Sequence, residues 1–381
     1  MIIVSCSAKL HAFNLAEQLE RHQLLRALYT VYHQKKNSVF AKLNSRKDLE
    51  QISLSKINTL PVLAPLVKSG VSPFKVNSIF DNWVSGKITK DCAYRAFIGW
   101  SGMSLRSIKQ VKAAGKKVVI ERGSSHIGFQ IPLLEEEYSA WGFHFQRDNR
   151  IIDQELEEYE LADYISIPSE FVGRTFVEKG IDQNKLIKNN YGSSSYFRKT
   201  KPRRSKFTVL YVGKLSLRKG LPYFFQALNT LDLNTELYDV WFIGSIEKEV
   251  QELIPRFNKP NWKFFGHVGH YQLPDLISQC SVAVHPSLEE GLSMVIPQIM
   301  SCGVPVIATT NTGGTDIIED QKSGFIVPIR SPREIAEKLT LLFSDKVLLE
   351  RIQESAEIYA QQFGSWQNYG DRYAEFLKKI I

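Results

Sequence analysis

Two stretches of this chain concentrate side chains and backbone able to hold an anion. The first, VGKLSLRKG (212–220), places Lys214, Arg218 and Lys219 on one loop behind Gly213. Two or three cations so close together suit a diphosphate, whose charge must be neutralised and positioned. The second runs AVHPSLEEGLSMVIPQIMSCGVPVIATTNTGGTDIIEDQKSGFIVP from 283 to 328. It reads as a strand ending in Pro286-Ser287, an acidic loop, and a helix expected to open at Gly291. Backbone N–H groups there, at Gly291, Leu292, Ser293 and Met294, would be directed at a bound phosphate. Gly313 and Gly314 offer a further close approach of backbone to ligand. Glu290 and Gln298 stand eight residues apart, just over two helical turns, so both could face one edge of the same ligand.

Other chemistries lack their residues. There is no GxGxxG and no GxxxxGK[ST], against a dinucleotide-binding dehydrogenase and a P-loop NTPase. No Asp-x-Asp pair occurs to hold a divalent ion. His267 and His270 in GHVGH have no carboxylate or cysteine at ligand spacing, and His285 is expected to pack at a strand end. Cys6, Cys92, Cys280 and Cys302 form no CxxC pair and read as free thiols.

The elements that must position these residues follow from periodicity. Ile2-Ile3-Val4 opens as a strand, and FNLAEQLERHQLLRAL has helical spacing at Leu15, Leu19 and Leu24. Residues 34–92 are poorly periodic. Tyr94–Trp100 and KKVVIE (116–121) read as strands, separated by a helix that stops at Gly115. The acidic stretch 134–163 reads as helices, and YISIPSEFV as a strand entering a helix capped by Ser169. After the charged linker KPRRSK the alternation sharpens: FTVLYVG, DVWFIG, NWKFFGHV, SVAVHPS, VPVIAT and GFIVP are strands with helical patterns among them. Such βαβ units imply parallel sheets, with ligands beyond the carboxyl ends of the strands. The expected fold is α/β with two Rossmann-like domains, residues 1–200 and 201–364. The last segment, 365–381, is an amphipathic helix.

Length and composition agree. At 381 residues, 43% hydrophobic and 23% charged, the chain suits two globular domains. The MIIVSCSAKLHAF start lacks the basic region of a signal peptide, and no apolar run reaches a bilayer-spanning length. The formal net charge of +8 is unevenly placed. Residues 1–120 hold 19 Lys and Arg against 6 Asp and Glu, whereas 201–381 balance at 20 each. A basic first third suggests an anionic partner, such as a membrane face. It shows no nucleic-acid motif and no aromatic–basic interleaving, so no nucleic-acid partner is expected.

The second half resembles the family 4 glycosyltransferases, which retain anomeric configuration and have the GT-B fold. The likeness is strong over about 206–330 and weaker before it. The family pairs two glutamates within PS-x-x-EG and G-x-PV-IA contexts; Glu290 holds the first position and Gln298 the second. The resemblance implies that Glu290 contacts donor-sugar hydroxyls and Gln298 the nucleotide ribose. GKLSLRKG matches the GR-L-x-x-x-KG motif, so Lys214 and Lys219 would bind the donor diphosphate. NNYGSSSYF (189–197) is similar to a family segment preceding the interdomain linker. By the same likeness His126, after VVIERGSSH, stands where the family has an acceptor-side histidine, with Glu121 and Ser124 as further candidates. The first loop, SAKLHAFN, lacks the family's paired glycines, leaving Lys9 and His11 as candidates for that contact. The last helix would cross back onto the first domain.

The resemblance implies a hexosyltransferase. Glu290, His126 and Lys219 would be its catalytic residues, and its donor a nucleotide-diphosphate sugar. The acceptor would be a lipid-linked saccharide, glycolipid or polysaccharide precursor. Neither cofactor nor metal is expected. The expected location is cytoplasmic, with peripheral contact at the inner face of the membrane. A sugar-nucleotide 2-epimerase shares the architecture and is the alternative; a basic nucleic-acid-binding module is more remote.

Overall fold

The computed structural model describes residues 1–8, 10–32 and 52–381. Short β-branched runs become strands, buried in the middle of each sheet as expected where helices cover both faces of a parallel sheet, and more exposed at the sheet edges. In the first half the described strands are β1 (Ile2–Cys6), β2 (Leu25–Thr30), β3 (Ile57–Thr59), β4 (Ala96–Trp100), β5 (Lys117–Glu121), β6 (Tyr164–Ile167) and β7 (Leu186–Lys188). They lie in the order β3-β2-β1-β4-β5-β6-β7, all parallel. The second half supplies β8 (Phe207–Val212), β9 (Tyr238–Ile243), β10 (Trp262–Gly266), β11 (Val282–His285), β12 (Val306–Thr309) and β13 (Gly324–Val327). Their order is β10-β9-β8-β11-β12-β13, again parallel throughout.

Both sheets reverse their winding beside the first strand, between β1 and β4 and between β8 and β11. A crevice forms where loops diverge at such a switch point, so the loops after β1, β8 and β11 inherit the positions best placed for a ligand.

Three local expectations need correction. The helical pattern read over FNLAEQLERHQLLRAL ends early: the helix spans Ala12–Arg21, and Leu25 onward is β2. Gln23 adopts a positive φ of 58°, and the Leu24 N–H returns to the Leu19 carbonyl, which turns the chain out of the helix. The poorly periodic region contains a long helix, Pro73–Ile88, started by a proline in its first turn. The helix expected from Gly291 begins instead at Val295 and ends at Ser301. Backbone groups it would have used are taken elsewhere. The Glu290 N–H donates to the Asn311 carbonyl, the Ser293 N–H to that of Thr312, and Ser169 Oγ donates to the Gly291 carbonyl at 2.6 Å.

The final helix, Trp366–Ile380, is capped by Ser365 and packs on Ala12–Arg21. Gly370 permits the close approach, since a Cβ there would collide with Gln18. Arg21 and His22 both pair with Asp371 across this contact. Cys6, Cys280 and Cys302 are buried free thiols, and Cys92 is exposed.

Candidate functional site

The second sheet brings its anion-binding candidates to one edge. Gly213 (φ 144°) and Gly244 (φ 144°) let adjacent loops cross so tightly that a Cβ on Gly244 would strike the Gly213 carbonyl. Gly220, at φ 68°, sits against the Pro286 carbonyl in the same way, and the Leu288 N–H donates to the Arg218 carbonyl at 2.9 Å. The 213–220 loop is therefore laced to the 286–291 loop.

At this seam Lys219 Nζ pairs with Glu290 Oε1. Ser287 Oγ donates to the same carboxylate at 3.1 Å, and His285 Nε2 lies 3.6 Å away. Burial and the neighbouring Arg218 push the Lys219 ammonium down to about 7. Burial, with Lys219 beside it, lowers His285 to about 3, so this ring is neutral at physiological pH. Among the described residues, the N–H groups of Gly291, Leu292 and Met294 donate to no protein group. A short run of free amides beside a lysine is an anion-binding arrangement made by loop rather than helix.

The other candidates divide. Lys214 turns outward, half-exposed, and pairs with Glu247, although its charge still acts on Lys219. Gln298 is half-buried on the Val295–Ser301 helix, and its side chain has no hydrogen-bond partner among the described residues. Gly313, at φ 68°, presses on Leu292 and the Gly291 carbonyl, and the Gly314 N–H donates to Thr312 Oγ1 at 3.1 Å. The two glycines thus shape the 290–293 loop.

Across the crevice, the loop after β5 meets this seam directly. A Cβ on Gly291 would collide with the carbonyl of Gly123. Ser124 Oγ accepts from Arg218 Nη2 at 3.3 Å. The strongest link is one that the sequence analysis does not single out: Glu289, fully buried, reaches into the first half. Its Oε1 accepts from the Ser125 N–H and Oγ, each at 2.7 Å, and its Oε2 from Gln130 Nε2 at 2.8 Å. Arg218 Nη2 lies 2.6 Å from Oε2. Burial alone would raise this carboxyl, but Arg218 and the Ser125 and Gln130 donors hold it below its ordinary value. A second buried carboxylate, Glu137, accepts from Tyr223 Oη and Arg330 Nε, both at 2.9 Å, fastening the Ile127–Ala140 helix to the other half. Only the adjacent-acid pattern Glu289-Glu290 hinted at the first of these.

On the first sheet, His126 does not face the seam. Its Nδ1 accepts the Gly128 N–H at 3.0 Å as a helix cap, and its ring packs against Tyr159 and Phe176. Burial, then Arg122, lowers it to about 4. The backbone turn after β5 uses the imidazole to start a helix, which places it in the core rather than in the crevice. Glu121 and His11 do come together: His11 Nε2 is 2.9 Å from Glu121 Oε2, and Tyr373 Oη donates to Oε1 at 2.6 Å. Lys9 lies outside the described residues.

Residues 193–359 match the family model described as Glycosyl transferases group 1. An uncharacterized glycosyltransferase of Methanocaldococcus jannaschii is 27% identical over 158 residues, 42% of this chain and 44% of that one. The capsular polysaccharide biosynthesis glycosyltransferase CapM of Staphylococcus aureus is 28% identical over 218 residues, 54% of each chain. Among solved structures, Anabaena HepE in complex with UDP-glucose superposes with a TM-score of 0.71 at 16% identity, covering 99% of both chains. The architecture is GT-B. This GT-B chain spans about half the length of these two curated relatives, and the family-model match covers the second sheet.

Proposed function

We propose that this protein is a retaining glycosyltransferase of the family 4 type, transferring a hexose from a nucleotide-diphosphate sugar to a hydroxyl of a saccharide, glycolipid or polysaccharide precursor. The observation that carries the reading is the Lys219–Glu290 pair beside the free amides of Gly291, Leu292 and Met294. In this reading the amides and Lys219 hold the diphosphate, and Lys219 stabilises the charge that develops as it leaves. Glu290, freed from Lys219 by the incoming anion, accepts hydrogen bonds from sugar hydroxyls. Gln298, with no protein partner, faces the ribose. Lys214 and Arg218 lie on the same loop but are paired with Glu247 and Glu289, so in this reading Lys219 and the free amides carry the diphosphate charge, and transfer needs no divalent ion.

Relatives support the coarse class. The S. aureus relative is named for capsular polysaccharide biosynthesis, and the Anabaena structure holds UDP-glucose. They lend nothing to the epimerase alternative. No described helix is long and apolar enough to cross a membrane, so a lipid-linked acceptor would be met at a surface.

The test is nucleotide release from UDP-, GDP-, ADP- and TDP-hexoses by the wild type, Lys219→Ala and Glu290→Ala. Removing one charge-stabilising donor in such a site lowers kcat by roughly 10²–10³-fold. Turnover left unchanged in both variants would contradict the assignment.

A further inference from the structure

The strand that delivers Glu290 ends in a histidine that packing does not account for. His285 closes β11, and its ring is buried. Pro286 and Ser287 follow it on the way to Glu290. The backbone of this turn is fixed from two sides: Gly220 presses on the Pro286 carbonyl, and Thr309 Oγ1 donates to the Ser287 carbonyl. The side chains of His285, Ser287 and Glu290 are thereby brought together.

Their hydrogen bonds have one consistent assignment. An ionised carboxylate only accepts, so the Ser287 hydroxyl proton points at Glu290 Oε1, 3.1 Å away. The lone pairs of Ser287 Oγ then meet His285 Nε2 at 3.3 Å, with Glu290 Oε1 a further acceptor at 3.6 Å. A bare Nε2 would set lone pair against lone pair at both. The ring proton is therefore assigned to Nε2, and the relay runs from His285 Nε2–H through the Ser287 hydroxyl to Glu290 Oε1. Burial, with Lys219 beside it, keeps the ring neutral, so Nδ1 is left a bare acceptor. It is buried and has no partner. A leucine at this strand end would carry no such unpaired atom, so filling the core is not what the histidine serves.

The two oxygens of Glu290 differ. Lys219, Ser287 and His285 all lie against Oε1, whereas Oε2 has no hydrogen-bond partner among the described residues. When the donor diphosphate draws Lys219 away, Ser287 and His285 are the protein donors that remain on this carboxylate.

We propose that His285 and Ser287 are positioning residues: their relay anchors Glu290 Oε1 once Lys219 has moved to the diphosphate, and so aims Oε2 at a hydroxyl of the donor sugar. The assignment rests on the donor reading above and deepens it. It gives His285, expected from the sequence only to pack at a strand end, a part in the site.

The experiment titrates UDP, GDP and ADP, and then UDP-glucose, GDP-mannose and ADP-glucose, in a calorimeter. The quantity compared is the ratio of dissociation constants for each nucleotide sugar and its own nucleotide, because Glu290 meets the sugar while the amides meet the diphosphate. Relative to wild type, Ser287→Ala and His285→Leu should shift that ratio against the sugar by about tenfold, the share of one hydrogen bond to a charged group. Both should bind the nucleotides alone as the wild type does. His285→Gln, whose amide N–H can stand near the Nε2 position, should recover part of the shift. In a Glu290→Ala background neither substitution should shift the ratio further, since the relay acts through that carboxylate. Melting temperatures are measured for each variant; should His285→Leu melt far below wild type, Ser287→Ala and His285→Gln carry the test. An unchanged ratio in Ser287→Ala overturns the relay, and so does a shift that persists in the Glu290→Ala background. A parallel loss of affinity for nucleotide and nucleotide sugar marks a structural role and overturns it too. A Glu290→Ala variant with the wild-type ratio removes Glu290 from the sugar, and the relay with it. A wild type that binds none of the nucleotide sugars overturns the donor reading as a whole.

Discussion

Replacing Glu289 with alanine removes a carboxylate from between the two sheets and leaves its partners behind. Ser125 loses the acceptor for both its N–H and its Oγ, Gln130 loses the acceptor for its amide, and Arg218 is left with an uncompensated charge at the junction. Removing one member of a buried, hydrogen-bonded charge pair costs about 3–5 kcal/mol. Arg218 is about one-third exposed and can rehydrate, which places the expectation toward the lower end, about 3 kcal/mol. Glu289→Gln keeps the shape and one acceptor but turns an NH₂ toward Gln130 or Arg218, so it should fall between wild type and alanine. The pH dependence has a definite sign. The folded carboxyl lies below its ordinary value of 4.5, so its contribution is complete above that value and is lost as pH falls through the folded value. The gap between wild type and Glu289→Ala should therefore be widest near neutrality and should narrow below about pH 4. Urea unfolding at pH 7.5, 5 and 3.5, followed by tryptophan fluorescence, reads it. A Glu289→Ala variant within about 0.5 kcal/mol of wild type at pH 7.5 refutes the view that this carboxylate holds the halves together.

Gly291→Ala should force the 290–293 loop away from Gly123, opening the crevice and weakening donor turnover at least tenfold; small-angle scattering would show an increased radius of gyration, and an unchanged radius with full turnover would count against the close contact. Donor affinity should fall as pH rises through about 7, where Lys219 loses its proton, by up to about tenfold per unit above that value; calorimetric titration of UDP-glucose from pH 6 to 9 reads it, and a flat profile is the contrary result. His126→Ala should lower the melting temperature, since it removes a cap and a buried ring, while leaving the KM for donor at its wild-type value. Sedimentation with phosphatidylglycerol vesicles should be salt-sensitive if the basic first third meets a membrane, with Lys75 and Lys87 exposed on the Pro73–Ile88 helix; vesicles that leave the protein in the supernatant at low salt would count against it.

The second half was readable because its local signals agree. Short β-branched runs, glycine-marked strand ends and proline-led helices all point to one parallel sheet, and the loops after Gly213, Gly244, His285 and Thr310 share one edge. The lysine and glutamate of the seam, Lys219 and Glu290, were legible for the same reason: each follows a strand that the fold carries to the same edge. Periodicity could not show how the loop backbone would be used. Gly291 suggested a helix start, but the Glu290 and Ser293 amides and the Gly291 carbonyl bond to Asn311, Thr312 and Ser169, contacts remote in sequence. Glu289 was missed because its partners, Ser125 and Gln130, lie more than 150 residues away and carry no pattern of their own. His126 was misplaced because a histidine after a strand has two uses, and capping the next helix turned its ring toward Phe176. In the first half, apolar spacing ran on past a turn at Gln23 that only a positive φ reveals.

The central claim is that Lys219 and the free amides of Gly291, Leu292 and Met294 hold a nucleotide-diphosphate sugar. It is tested most directly by titrating wild type and Lys219→Ala with UDP-, GDP-, ADP- and TDP-hexoses in a calorimeter at pH 6.5. The account predicts saturable binding of at least one of them to the wild type, weakened tenfold or more in Lys219→Ala. Equal affinity in the two proteins, or no binding to the wild type, would contradict it.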